Sequence, residues 1–355
     1  MRNTLVSATR VTVRWMAVLV AITLPLSPAT AFEIEDERRF GLTSAANEMA
    51  VLSTTDIALF APLAEAFLSQ TPNTALRYVQ ATSRQVHAAI DEERAAFDLV
   101  ISSAMDLQMK LANDGFSRSL PDDLVASLPD WARWRDRLVA VAQEPVVLLL
   151  SGAALPEGTQ RPRSRRDLIA LLRDNAALFD GRIGTYDPQA SGAGFLFLTQ
   201  DARMSDSIWR LAEVMGRLNT RLYCCSGDMI AGLRSGDLLM AYNVLGSYAA
   251  ANLTQADGVH IILPEDFTIT LQRTALIPST SDHPELGVAL LNFLLSDTGR
   301  RIQSEATGQP PFDAQTFRNQ PHLRPIRLDP GLLAHLDAMT RRRFLAEWSA
   351  ALDQP

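Results

Sequence analysis

Met49-Ala-Val-Leu-Ser-Thr-Thr-Asp56, followed by apolar residues at Ile57, Phe60, Leu63, Ala64, Phe67 and Leu68, is the stretch on which the fold turns. Its first four residues read as a short buried strand. Ser53-Thr-Thr-Asp56 is a hydroxyl-rich turn able to cap a helix, and the apolar positions that follow have helical spacing until Thr71-Pro72-Asn73 ends them. Working outward, 76–79 is the next predicted strand. Ser83 precedes a second helix with Val86, Ala89 and Ile90 on one side, and Phe97-Asp-Leu-Val-Ile101 is a third strand that runs into Ser102-Ser103. Strand, helix, strand, helix, strand is the pattern of a parallel sheet. The polar segment 32–47 before it is expected to be an irregular arm.

Downstream the alternation resumes. A helix over 105–113 closes at Gly115, a suitable C′ residue. Two apolar stretches, 138–142 and 146–150, are split by Gln143-Glu-Pro145, and because proline is ill suited to a central strand the split reads as a crossing between lobes. The basic segment 159–166 is expected to be a solvated loop. A second α/β unit follows: a helix over 167–179, strand and turn at Gly181-Arg-Ile-Gly-Thr-Tyr-Asp-Pro188, and Ser191-Gly-Ala-Gly194 opening a helix. A further helix over 207–218 precedes Tyr223-Cys-Cys-Ser-Gly227, which leads into another helical segment; Leu238-Leu-Met-Ala-Tyr242 is a buried strand. Strands at 259–263 and 268–277 return the chain to the first unit. His283-Pro284 starts an apolar helix, Pro310-Pro311 marks a break, and 332–352 supplies closing helices.

The N-terminus bears on compartment. Arg2, Arg10 and Arg14 form a positive region, an apolar run over 13–26 is interrupted only by Arg14, Thr23 and Pro25, and Ala29-Thr-Ala31 offers small residues for cleavage, the arrangement of an export signal. A mature chain is therefore expected to start at Phe32 in the periplasm. The run is shorter than the roughly 20 residues of a bilayer span. What remains of the 355 residues is enough for two domains. The whole chain carries a formal charge of −7 and the leader removes only arginines, so the mature chain is more acidic still, which argues against nucleic acid as a partner. Lys110 is the single lysine and sits in an amphipathic run, so neither a phosphate-binding P-loop nor a Schiff-base lysine is available. Cys224 and Cys225 are adjacent and the only cysteines, so they close no long loop. Two packed thiols or a strained vicinal disulfide both fit, and neither implies catalysis.

Hydroxyl or glycine clusters recur where a strand ends or a helix begins: Ser53-Thr54-Thr55, Ser83, Ser102-Ser103, Ser191-Gly192-Ala193-Gly194 and Ser226-Gly227. In open α/β sheets ligands bind at the carboxyl ends of the strands, where helix N-termini present free N–H groups that favour anions. Any one cluster is equally a plain helix cap; five in one chain point to a binding cleft. Tyr242-Asn243 closes a predicted strand and adds directional hydrogen-bonding groups, and Arg84 is either a partner for an acidic ligand or an exposed helix arginine. Enzymatic constellations are missing from the sequence: the five histidines show no metal-ligand spacing, and no G-x-S-x-G elbow precedes a helix. No metal or cofactor is expected.

In order and spacing, the Ser53-Thr-Thr-Asp56 turn, Phe97-Asp-Leu-Val-Ile-Ser-Ser103, Gly181 to Pro188 with Ser191-Gly-Ala-Gly194, Ser235-Gly-Asp-Leu-Leu-Met-Ala-Tyr242, and Leu295-Ser-Asp-Thr-Gly-Arg-Arg-Ile302 resemble bacterial extracellular solute-binding proteins of ABC importers, in the branch with ferric and phosphonate-type binders. The resemblance covers roughly 49–308. It implies a two-lobe α/β periplasmic-binding-protein fold of type II, each lobe a mostly parallel sheet flanked by helices, with a two-segment hinge. The implied division is 32–143 with 272–355 as the first lobe and 144–271 as the second. It further implies a small, anionic ligand, held by Thr54, Thr55, Ser83 and Ser103 from the first lobe and Ser191, Gly192, Gly194, Tyr242 and Asn243 from the second, and delivery to a membrane permease by a monomer. Ferric binders of this type carry adjacent tyrosines where this chain has Tyr242-Asn243, so ferric ion is not the expected ligand. Ser102-Ser-Ala-Met-Asp-Leu-Gln108 is also similar to relatives associated with two-component sensors of organic acids, which makes a histidine kinase the alternative partner.

Overall fold

A computed structural model describes residues 32–155, 158–308 and 314–353; the expected leader, 1–31, and Pro310-Pro311 lie outside them. The first strands form around the opening motif. β1 (Asp36–Phe40), β2 (Asn47–Ser53), α1 (Ile57–Gln70), β3 (Thr74–Gln80), α2 (Ser83–Asp91), β4 (Leu99–Ser102) and α3 (Met105–Asn113) follow in order. β2 runs parallel to both β3 and β4, and its apolar residues Met49, Val51 and Leu52 are fully buried, as expected of a strand covered on both faces. α1 lays Phe60, Leu63, Ala64 and Phe67 on the sheet, and the Phe60 ring stacks on Tyr78 with centroids 4.4 Å apart. The expected irregular arm is instead an edge strand: β1 pairs antiparallel with β3, anchored by buried Phe40 and leaving its charged residues in solvent, which blunts the sheet edge.

After α4 (Asp122–Ala126) and the short β5 (Arg133–Trp134), the chain enters β6 (Leu138–Ser151), a single strand of 14 residues in place of the two stretches predicted. Its first half, up to Pro145, pairs with one pair of strands and its second half, from Val146, with a different pair. Proline is accommodated where the ladder changes partner.

The second unit comprises α5 (Arg165–Asp174), α6 (Ala176–Phe179), β7 (Ile183–Tyr186), α7 (Gly192–Met204), α8 (Ser207–Arg217), β8 (Arg221–Tyr223), α9 (Ser226–Ser235), β9 (Met240–Leu245), α10 (Gly246–Asn252) and β10 (Val259–Ile262). β11 (Thr268–Leu276), α11 (Pro284–Leu295), α12 (Asp297–Thr307), α13 (Ala314–Asn319), β12 (Leu323–Pro325) and α14 (Ala338–Leu352) complete the chain. The strand order is β1-β3-β2-β4-β11-β6-β9-β7-β8. The parallel triplet β9-β7-β8 lies at one end, and the triplet β3-β2-β4 lies toward the other, inside the antiparallel edge strand β1. The strands between them, β11 and β6, are antiparallel to their neighbours, so the sheets are mixed rather than mostly parallel. The fold is thus a two-lobe α/β architecture in which β6 and β11 carry the chain between lobes.

The C-terminal helix departs from the expected division. The resemblance places residues 272–355 in the first lobe, but α14 buries Phe344, Trp348 and Ala351 among Phe195, Leu211 and Met215 of the second lobe. Gly216 of α8 lets it come this close, since a Cβ there would lie 2.4 Å from the Leu352 carbonyl oxygen.

Candidate functional site

Register decides where the cleft forms. Ser53 lies opposite both Gln80 and Ile101 in the parallel ladders, so β2, β3 and β4 end at one edge and their following residues, Thr54, Thr82-Ser83 and Ser103, emerge together. In the second lobe Tyr186 is opposite Tyr223, which brings Ser191 and Cys224-Cys225-Ser226 to a common edge. The two edges face each other across a cleft that is open to solvent. Thr54, Ser83, Ser103 and Ser191 line it, together with Thr82, Ser226, Tyr186, Tyr248, Gln80, Glu35 and Asp56.

The helices beginning here give the cleft its character. Thr82, not Ser83, caps α2 by accepting from the Gln85 N–H at 3.3 Å; Ser83 occupies the first helical position. Ser191 caps α7, its Oγ accepting from the Gly194 N–H at 3.1 Å. α9 starts at Ser226, whose Oγ pairs with the Tyr186 hydroxyl at 2.6 Å and accepts from the Leu245 N–H at 3.1 Å. First-turn N–H groups lack partners inside a helix and carry the positive end of its dipole. No arginine, lysine or histidine lines the cleft among the described residues. The positive groups that open directly on it are backbone N–H, while the buried Arg273 acts on Tyr186 and Tyr248 from behind the lining. Carboxylates stand at the mouth: Asp56 accepts from Gln80 Nε2 and from the Tyr248 hydroxyl, each at 3.0 Å. Burial raises the Glu35 carboxyl above its usual range; the bond from Gln80 opposes this, and Asp56, Glu33 and Asp228 add to it. Burial likewise pushes the Tyr186 and Tyr248 phenols up.

Five of the nine expected ligand residues do other work. Thr55 is buried, and its Oγ1 accepts from Arg273 at 2.6 Å. Gly192 sits where the lobes touch, because a Cβ there would come within 2.8 Å of Ser83 Oγ. Gly194 lets α7 lie on β7, since its Cβ would fall 2.4 Å from that of Tyr186. Tyr242 and Asn243 lie inside β9, not at its end, and turn away from the cleft: the Tyr242 hydroxyl donates to Asp201 Oδ2 at 2.9 Å and Asn243 Nδ2 to the same oxygen at 2.8 Å. Their partner was missed in the sequence. Arg165, read as part of a solvated loop, is buried at the start of α5, paired with Asp201 at 2.8 Å and Tyr242 at 2.7 Å, its guanidinium 3.6 Å from the Phe267 ring centroid. Arg84 reaches from α2 across to the Gln189 carbonyl, outside the cleft. Tyr186 and Tyr248 were also missed, and only Tyr186, in a strand that runs into Ser191, had a positional signal.

A second network ties hinge to cleft. Arg273 of β11 donates to Glu144 of β6 at 2.7 Å; Ser247 of α10 bonds the other oxygen of Glu144; and the neighbouring Tyr248 reaches Asp56 beside the cleft.

A fold of two α/β lobes, with strand ends and helix N-termini facing across a cleft, defines a binding protein. The chain belongs to the family of bacterial extracellular solute-binding proteins, whose model matches residues 50–308. Members bind a solute rather than transform it. The chain is similar to the substrate binding protein of the ABC transporter from Agrobacterium tumefaciens, at 31% identity over 89% of this chain and 98% of that one, with a TM-score of 0.84. It shares the fold of AfuA from Actinobacillus pleuropneumoniae, solved with fructose-6-phosphate, at 15% identity over 87% and 100% of the two chains and a TM-score of 0.68. Iron-bound HitA from Pseudomonas aeruginosa shares it at 16% identity over 86% and 99%, with a TM-score of 0.65. No curated protein matches by sequence. No helix among the described residues is long and apolar enough to cross a membrane.

Proposed function

We propose that this protein captures a small solute bearing an anionic group between its lobes and delivers it, as a monomer in the periplasm, to an ABC transporter permease. The observation that carries the reading is the convergence of the α2, α7 and α9 N-termini, with hydroxyls of Thr54, Thr82, Ser83, Ser103, Ser191 and Ser226, on one cleft. Backbone N–H groups bind carboxylate or phosphate-type oxygens without a basic side chain. The cleft phenols favour an organic anion over ferric ion: Tyr186 is engaged with Ser226 and Tyr248 with Asp56, and both are held protonated by burial. The hinge runs through Gln143-Glu-Pro145 of β6 and the first half of β11. The mature chain begins at Phe32.

Thermal-shift screening followed by calorimetric titration tests the reading, because a ligand that binds only the folded state raises Tm. One class among carboxylates, phosphonates and phosphates is expected to give a saturable shift. Thr54→Trp, Ser103→Trp and Ser191→Trp should each weaken that binding by at least about tenfold, a loss of ~1.4 kcal/mol, with the melting temperature of the ligand-free protein retained. Unchanged affinity in all three removes the cleft assignment.

A further inference from the structure

The β8–α9 junction has a chemistry that anion binding does not use. Cys224 and Cys225 follow β8, and Cys225 takes the N-cap position of α9 with extended backbone, φ −144° and ψ 156°. Successive side chains of extended backbone point to opposite sides. Even so, both sulfurs reach one carboxylate oxygen, Asp228 Oδ2, at 3.6 Å from Cys224 Sγ and 3.2 Å from Cys225 Sγ. Asp228 stands in the first turn of α9, where its side chain meets the incoming chain. Two sulfurs and one oxygen therefore lie within 4.8 Å of one another. Both cysteines also line the cleft, opposite Glu35 of the first lobe, while no basic side chain lines it among the described residues.

We propose that Cys224, Cys225 and Asp228 form a site for a soft divalent cation of the zinc class, open to the cleft. Zinc bonds of about 2.3 Å to sulfur and about 2.0–2.2 Å to a carboxylate oxygen, set tetrahedrally, place such donors roughly 3.5–4 Å apart. Cys224 Sγ stands in that range from Asp228 Oδ2, at 3.6 Å, Cys225 Sγ is nearer at 3.2 Å, and all three atoms lie within 4.8 Å, so small side-chain shifts would complete the set. Two thiolates and a carboxylate select a soft or borderline ion over magnesium or calcium. Three protein donors leave a fourth position, which here faces the cleft and Glu35. Binding replaces the two thiol protons, which leave to solvent, and converts two weak S–H donors into ligands that neutralise the ion. The inference is independent of the anion reading, because it concerns the protein without organic solute.

The test is titration of the reduced protein with cadmium, followed by the ultraviolet charge-transfer band of cadmium thiolate, and with zinc against a chromogenic chelator. One ion per chain is expected, with the thiolate band developing in step. Cys224→Ser/Cys225→Ser should lose the band and weaken zinc by more than the roughly 100-fold upper cost of losing an outer-shell partner, and Asp228→Asn should keep the band while weakening zinc by at least about tenfold, the lower end of that range. Melting curves confirm that each variant is folded. The proposal is overturned if the reduced protein shows no thiolate band, or if the double serine variant binds zinc as tightly as the parent. It is equally overturned if protein isolated from the oxidising compartment carries the pair as a Cys224–Cys225 disulfide by mass. Failure here with a saturable anion shift removes only the metal site.

Discussion

Asn243 sits in mid-strand with φ 65°, in the left-handed region that asparagine tolerates better than most residues. The kink coincides with a register shift between β6 and β9, and it aims the side chain at Asp201. A residue that looked like a strand-end ligand thus spends its amide on a buried carboxylate. Asp106 in the first turn of α3 is the reverse case: it is buried, one of its oxygens has no hydrogen-bond partner, and burial raises its pKa to about 7 against the backbone N–H groups of Leu107 and Asp106 and, more weakly, Arg341. The folded state therefore holds the proton more tightly than the unfolded chain, whose aspartate titrates near 3.8. The sign follows: this group's stabilisation is complete below about pH 4 and is lost as pH rises through about 7. Asp106→Asn cannot ionise, so its Tm relative to the parent should rise by several degrees between about pH 5 and about pH 8. A pH-independent difference, by scanning calorimetry, contradicts this.

At the scale of elements, the Arg165–Asp201 pair joins the start of α5 to α7, with Tyr242 and Asn243 bringing in β9 and the Phe267 carbonyl bonding Arg165 just before β11. Both charges are almost wholly buried, at 3% and 0% exposure; burial works against the arginine's charge, but Tyr242, Asp201 and Asp266 outweigh it and raise its pKa. Removing one member strands the other in a medium that solvates it poorly. Arg165→Met should therefore cost about 3–5 kcal/mol in urea unfolding. Pairing it with Asp201→Leu should recover part of the loss, since an apolar pair leaves no unmatched charge. If the single variant unfolds like the parent, the network is not what holds these elements.

The whole molecule depends on how closely its lobes approach. They meet at Gly192 against Ser83, at Arg84 on the Gln189 carbonyl, and at Tyr248 on Asp56, while the Arg273–Glu144–Ser247 network sits where β6 changes partner. Closure driven by ligand is a population shift toward the form with most contacts. A valine at Gly192 places carbon where Ser83 Oγ already stands. Gly192→Val is expected to lower ligand affinity at least about tenfold while leaving the Tm of the ligand-free protein within ~2 °C. Small-angle scattering should then show ligand-bound protein that fails to become as compact as the parent.

The amino-acid sequence by itself determined the order of elements, the helix caps and the strand-end hydroxyls, because each depends on residues adjacent along the chain: apolar spacing, a Ser or Thr before a helix, a proline after one. Thr54, Ser83, Ser103 and Ser191 were legible for that reason. The tertiary structure alone decided which of these groups share a space. Pairing register brought Ser191 and Cys225 to one edge, and the long β6 joined two stretches that proline had separated. Arg165 went inside because Asp201, Tyr242 and the Phe267 ring, all distant in sequence, converge on it. A lone arginine in a basic segment carries no local sign of partners so far along the chain. Nor did Gly192 and Gly194 announce themselves as packing residues, since what a missing Cβ makes room for is settled only when another element arrives.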